Sequence, residues 1–312
     1  MKNLKTKLTI IGITLLSINA FSQDYIYKGV KNVDATIGMN DSESDSEQET
    51  VSADCYDSAN IGKRIQAQGC KDLLIVDNDS LRQMVLNDEN YSDTNIFTGQ
   101  VTDMSFLFCN YNLTNQELYN NCTRKDPMYS ISNWNTANVI NMKRLFLYSN
   151  FNQPLNNWDV SNVTNMFQMF RNTNNFNQPL NNWDVSNVTD MSDTFARAYS
   201  FNQPLNNWDV SNVNDMSYMF YQANQFNQPL NNWNVINVTD MRSMFLDSAY
   251  NQPLNNWNVI NVTNMRSMFR NSTYNQDISN WCVPLISSKP NYFDDSSGFE
   301  NQTHLQPNWG CN

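Results

Sequence analysis

Six cysteines, one histidine and a regular lattice of aspartates and tryptophans are the side chains of this 312-residue sequence that could do chemistry. Cys55 and Cys70 precede the regular part of the chain, Cys109 and Cys122 bracket an irregular insertion, and Cys282 and Cys311 bracket the tail. An even number of cysteines suits a disulfide framework in an oxidising compartment, although six allow 15 pairings. Near-neighbour pairing would staple the two ends, each bond contributing about 2–4 kcal/mol. There is no CxxC pair, and His304 is the only histidine, so no metal site is expected. His304 also lies in the tail, away from any nucleophile in the regular part, which argues against a Ser-His or Cys-His system. Aspartate pairs of the kind used in glycoside hydrolysis can be picked out anywhere in so regular a lattice and therefore carry no signal. The expectation is a protein that is not an enzyme and has no cofactor. Asp159, Asp184 and Asp209 would repel one another if stacked at strand spacing, and shared calcium is the alternative to plain solvation.

The lattice comes from one sentence repeated: Phe-Asn-Gln-Pro-Leu-Asn-Asn-Trp-Asp-Val-Ser-Asn-Val-Thr-Asn-Met-x-x-Met-Phe, spelled out from Phe151 to Phe170 and returning from Phe176, Phe201, Phe226 and Tyr250. Trp134, Trp158, Trp183, Trp208, Trp233, Trp257 and Trp281 mark its period of 24 or 25 residues. A repeat of this length sets the architecture before any local propensity does. Glycine is absent between Gly99 and Gly298, so the turns must use asparagine, which tolerates left-handed backbone and caps turns with its own side chain.

Within a repeat, Trp158-Asp-Val-Ser alternates as a short strand would, with Trp158 and Val160 on one face. Val163, Met166 and Phe170 fall at i, i+3 and i+7, the buried stripe of a two-turn helix capped by Asn162 or Thr164. Pro154 marks Phe151–Leu155 as a return segment. These readings predict an α/β fold: a solenoid of 24–25-residue strand–helix coils, leucine-rich-repeat-like, with a parallel sheet on one face and capped ends. Asn157, Asn182, Asn207, Asn232 and Asn256 before each tryptophan, and Asn162, Asn187, Asn212, Asn237 and Asn261 before each helix, are expected to form hydrogen-bonded ladders. The tryptophan ladder is expected to be core.

Outside the repeats, residues 1–22 have the basic head and apolar run of a secretory signal peptide, with cleavage after Ser22 and no lipid-bearing cysteine there. Residues 23–69 read as a polar, acidic linker or flexible segment. Residues 70–127 read as an N-terminal cap, with a strand at Leu73–Val76, a helix opening at Asp79 or Ser80, and half a repeat at Val101–Phe108 before the insertion. Residues 128–283 are the repeat array. Residues 284–312 have no period and should cap it, with Trp309 as anchor. The net charge of −11 excludes nucleic acid, whose binding needs phosphate neutralisation. No membrane span is expected once the signal is removed.

The repeated Asn-Gln-Pro-Leu-Asn-Asn-Trp-Asp-Val-Ser-Asn-Val-Thr-Asp-Met resembles the bacterial surface protein 26-residue repeat, grouped with the BspA-like leucine-rich-repeat surface proteins. The resemblance covers roughly residues 70–311, including the half-repeat start at Val101–Phe108 and the Trp-Cys-Val finish at Trp281–Val283. It implies a secreted or cell-surface location and an interaction or adhesion role. No C-terminal sorting or anchoring signal is expected after Cys311. Two partner classes follow: a protein, or a repetitive glycan at the cell surface or matrix.

Positions that differ between copies are where a partner would be read. They fall on the expected outer helix face, and the candidates are Arg171, Tyr218, Tyr221, Arg242, Leu246, Arg266 and Arg270. Ile236 and Ile260 replace Ser161, Ser186 and Ser211 and are expected as an exposed contact patch.

Overall fold

The apolar stripe Val163, Met166 and Phe170 is spaced as a helix would space it. In the computed structural model, which describes residues 51–111 and 122–311, it runs instead through consecutive turns. Met169 N–H bonds to Met166 O, Arg171 N–H to Gln168 O and Thr173 N–H to Phe170 O, at 3.0, 3.2 and 3.1 Å. Gln168 and Asn172 have φ of 56° and 58°, the left-handed value that a type II turn requires at its third residue. The same two positions are left-handed in the following repeats, at Asp193 and Arg197, Tyr218 and Gln222, Ser243 and Asp247, and Ser267 and Asn271. Every other N–H reaches the next repeat: Met166 to Asp190 O, Gln168 to Ser192 O, Phe170 to Thr194 O and Asn172 to Ala196 O, all within 2.9–3.1 Å. An α-helix would keep these bonds inside the segment and allow no positive φ.

The strand–helix solenoid with a parallel sheet is therefore overturned: from residue 125 to residue 281 there is neither helix nor strand. Asp159 and its equivalents explain the missing strand. The Asp159 carboxylate accepts from Ser161 N–H at 3.0 Å, and Val163 N–H bonds to Val160 O at 2.9 Å, so the chain bends where alternation suggested extension. This is the Asx turn, in which a short carboxylate or amide mimics a backbone carbonyl. A second Asx turn follows at Asn165, Asp190, Asp215, Asp240 and Asn264, each accepting from the N–H two residues on. Those same residues form a run of single parallel bridges between repeats, from Asp103 through Asn141 to Asn264.

Helix and strands are confined to the ends. The N-terminal part carries β1 (Leu74–Ile75), α1 (Asn78–Leu86) and β2 (Ile96–Phe97), with β1 and β2 parallel. Helix α1 is capped by Asp77, earlier than expected, because Asp77 and Ser80 exchange side-chain-to-backbone bonds in a capping box. β3 (Cys109–Tyr111) and β4 (Cys122–Arg124) form an antiparallel pair, and β5 (Cys282–Val283) lies parallel to β6 (Asn308–Trp309). Residues 51–69, inside the stretch read as linker, hold two short 3-10 turns, and their Cys55 and Ala67 join Cys70, Ile75 and Phe97 in a small core. The expected signal peptide and the acidic run 41–49 lie outside the described residues.

The core is a set of aromatic columns. Trp183, Trp208, Trp233 and Trp257 stack with ring centroids 6.5 Å apart and planes within 4° of parallel. Phe170, Phe195, Phe220, Phe245 and Phe269 form a second column at 5.5–5.8 Å. Phe151, Phe176, Phe201, Phe226, Tyr250 and Tyr274 form a third, at 5.9–6.3 Å. Each indole N–H also donates to a backbone carbonyl of the preceding repeat, as Trp208 does to Leu180 O at 2.9 Å. Repeats of this kind bury little alone and hold one another, so the ends need closing.

Disulfides join Cys55 to Cys70 and Cys282 to Cys311, with Cα atoms 5.9 and 5.6 Å apart. Cys109 and Cys122 sit on the paired strands β3 and β4. The tail is less irregular than its sequence suggests. Ser267, Phe269 and Asn271 donate to Asn291 O, Phe293 O and Asp295 O, and Tyr292 and Ser296 take the two left-handed positions. One more repeat segment thus closes the stack, with buried Asp294 where the core phenylalanine would be, ion-paired to Lys289 and accepting from Gln306. Trp309 packs edge-on against Phe293 at 4.9 Å.

Candidate interaction surface

Every lysine and arginine between residues 128 and 283 lies in one short stretch of the repeat, the two turns that follow the first methionine: Lys143, Arg144, Arg171, Arg197, Arg242, Arg266 and Arg270. The stretch is the one whose alternate N–H groups bond to the next repeat, so equivalent positions rise one above another and the cations form a row. Aromatic rings from neighbouring repeats hold them. Arg144 is buried between Phe106 and Phe167, its guanidinium 5.2 Å from each ring, while Nε donates to Gln168 at 2.7 Å. Arg197 lies over Tyr221 at 5.2 Å and donates to its hydroxyl, a bond that holds the guanidinium above its ordinary pKa. Arg242 lies over Tyr218 at 5.6 Å, and Arg266 and Arg270 share Tyr292 at 5.7 and 4.9 Å. Cation–π pairing fixes the cationic heads of long, flexible side chains; of the arginines so held, Arg242, Arg266 and Arg270 remain exposed.

The structure sorts the positions that vary between copies. Arg242, Arg266 and Arg270 are exposed, while Arg171, Tyr218, Tyr221 and Leu246 are half-buried. Arg171 is ion-paired with Asp193, and its burial pulls its pKa below the ordinary arginine value. Ser192, Ser217, Ser243 and Ser267 are buried, so at those copies the variation is packing rather than contact surface. None of these residues stands on a helix. They share a face because turn follows turn in register. Ile260 is exposed, Ile236 is half-buried, and both belong to the other Asx turn, one repeat apart and outside the core.

The amide ladders divide too. Asn162, Asn187, Asn212, Asn237 and Asn261 each donate to a carbonyl of the preceding repeat at 2.6–2.8 Å. The asparagines before the tryptophans are exposed, and one of them, Asn157, donates to its equivalent Asn133 at 2.9 Å. A ladder absent from the sequence reading runs through Asn152, Asn177, Asn202, Asn227 and Asn251. Each side-chain oxygen there accepts the backbone N–H of the next member or of its equivalent, at 2.8–3.0 Å. The invariant Gln after each Asn donates to the same oxygen at several copies, which explains the constant Asn-Gln pair.

Asp159, Asp184 and Asp209 each close their own Asx turn, and the hydroxyl of Ser211 holds the Asp209 carboxyl below the usual carboxylate range. Among the described residues no three His, Cys, Asp or Glu side chains converge on a point that could hold a metal ion. No described helix is long and apolar enough to cross a membrane.

A family model described as "Mycoplasma protein of unknown function, DUF285" matches residues 79–205, 117–228 and 202–309. No curated protein and no solved structure matches the chain.

Proposed function

The chain belongs to the family described as Mycoplasma protein of unknown function, DUF285, and we propose that it is a secreted or surface-exposed, non-catalytic interaction module that docks a protein partner through its row of stacked arginines and aromatics. The observation that carries this reading is the confinement of all seven array cations to one face, each beside a ring or a carboxylate. Arginine and tyrosine are the side chains that anchor protein interfaces, and pre-positioned guanidinium groups lose little freedom on binding. The partner that fits is a protein surface with spaced carboxylates. A continuous polyanion such as nucleic acid fits less well, because Asp193, Asp240 and Asp247 interrupt the row. Export is supported by the signal-like residues 1–22 and by the disulfides, which belong to oxidising compartments. The BspA-like resemblance favours the same role and adhesion as its purpose.

The test is capture of matrix and cell-surface proteins by the mature chain. The triple variant Arg242→Glu, Arg266→Glu, Arg270→Glu is compared with Asp159→Lys, Asp184→Lys, Asp209→Lys on the other turn. Capture that falls with salt and disappears only in the arginine variant supports the proposal. Equal capture by both variants overturns it.

A further inference from the structure

A shallow hollow lies beside the arginine row, in the repeats where the register of the stack changes. The spacing of the third aromatic column is 25 residues up to Phe226 and then drops to 24 at Tyr250. The residue lost is on the ledge that leads out of the varied turns, and the same step puts Ala249 where Asn174, Tyr199 and Asn224 stand in earlier repeats. The hollow, about 380 Å³, is wide open to solvent and lined by Tyr199, Gln222, Asn224 and Asp247.

We infer that this hollow is a binding site for a neutral sugar residue. Among the described residues, neither the Tyr199 hydroxyl nor the Asn224 amide makes a side-chain hydrogen bond, and the Tyr199 ring stacks on no other ring. An aromatic face beside the hollow suits the apolar C–H face of a pyranose. Asp247 and Gln222 supply the complementary part. The Asp247 carboxylate accepts from Gln222 Nε2 at 3.2 Å on one oxygen and from Asn271 Nδ2 at 2.8 Å on the other, which fixes its plane and leaves lone pairs for further donors. A carboxylate flanked by amides offers paired acceptors and donors, the pattern that adjacent sugar hydroxyls match. The volume suits one or two rings rather than a long chain. The site uses none of the row's cations and takes a different ligand, so it stands whether or not the row docks a protein.

The test is ligand-detected saturation-transfer NMR on the mature protein with glucose, galactose, mannose and N-acetylglucosamine as probes. Two variants are used: Tyr199→Ala, which removes the aromatic face, and Asp247→Asn, which removes the carboxylate while keeping a residue that tolerates the left-handed backbone there. At least one sugar should give transfer with the wild type, and each variant should weaken binding about tenfold or more while keeping the wild-type melting temperature. The triple arginine variant should bind the sugar as the wild type does. Absence of transfer from all four sugars, or transfer undiminished in either folded variant, overturns the inference.

Discussion

Replacing Trp208 by phenylalanine should destabilise the repeats by about 2–3 kcal/mol. Trp208 is buried in the middle of its column, between Trp183 and Trp233, each 6.5 Å away. Its N–H donates to Leu180 O at 2.9 Å, a carbonyl that also accepts from Trp183 N–H. Phenylalanine loses that bond, with a net loss of about 1 kcal/mol. The missing half of the bicycle leaves a cavity and fewer ring contacts, which adds roughly another 1–2 kcal/mol. Alanine should cost about 3–5 kcal/mol at the same place. With a urea slope of roughly 1–3 kcal/mol/M, Trp208→Phe should shift the unfolding midpoint by about 1 M. Because each repeat leans on its neighbours, the alanine variant should also open first around its own position, with new proteolytic cuts between residues 180 and 235. Trp309, half-buried in the tail, is the control, and Trp309→Phe should move the midpoint less. A Trp208→Phe midpoint equal to that of the wild type would refute the indole-to-carbonyl bond as a tie between repeats.

The left-handed positions can be probed directly: Ser243→Gly should leave the melting temperature unchanged or raise it, whereas Ser243→Thr should cost about 1–2 kcal/mol, since a β-branched residue resists positive φ. Tyr274 carries a buried hydroxyl with no hydrogen-bond partner where four earlier copies have phenylalanine, so Tyr274→Phe should stabilise by about 1 kcal/mol in a urea titration, and a loss instead would mean the hydroxyl is satisfied. The Asp77 carboxyl is held below its ordinary value of 3.8, first by the Ser80 hydroxyl and then by Ser80 N–H. Its contribution to stability is therefore complete above the unfolded pKa and is lost as pH falls through the lowered folded pKa. Asp77→Ala should cost about 1 kcal/mol at neutral pH, and the difference from the wild type should vanish on acidification.

The sequence displays the period and the core without ambiguity. Leu155, Trp158, Val160, Val163, Met166, Met169 and Phe170 are all buried as their pattern requires, and the cysteines that close the two ends pair with near neighbours. The backbone between those positions is another matter. Spacing of i, i+3 and i+7 is satisfied both by a helix and by successive i-to-i+3 turns, and no glycine marks the left-handed residues. One signal was present. The fifteen residues at the two left-handed positions, from Phe106 and Arg144 to Tyr292 and Ser296, include no Val, Ile or Thr, although such residues are common elsewhere in the repeat. The constant Asp or Asn two residues before a variable one also fits an Asx turn better than a strand or a helix interior. The arginine row needed only a count of cations by repeat position. The hollow could not be read from the sequence, because Tyr199, Gln222, Asn224 and Asp247 come from three successive repeats and meet only once the repeats are stacked.

The surface assigned to binding exists only if turns, not helices, carry the varied residues, and backbone φ angles at those residues test this most directly. In isotope-labelled mature protein, three-bond couplings and carbon chemical shifts should report positive φ at Gln168, Asp193, Tyr218, Ser243 and Ser267, near the 52–57° of the structure. Continuous helical shifts from Met166 through Asn172, repeated at the equivalent residues of the next copies, would contradict the account.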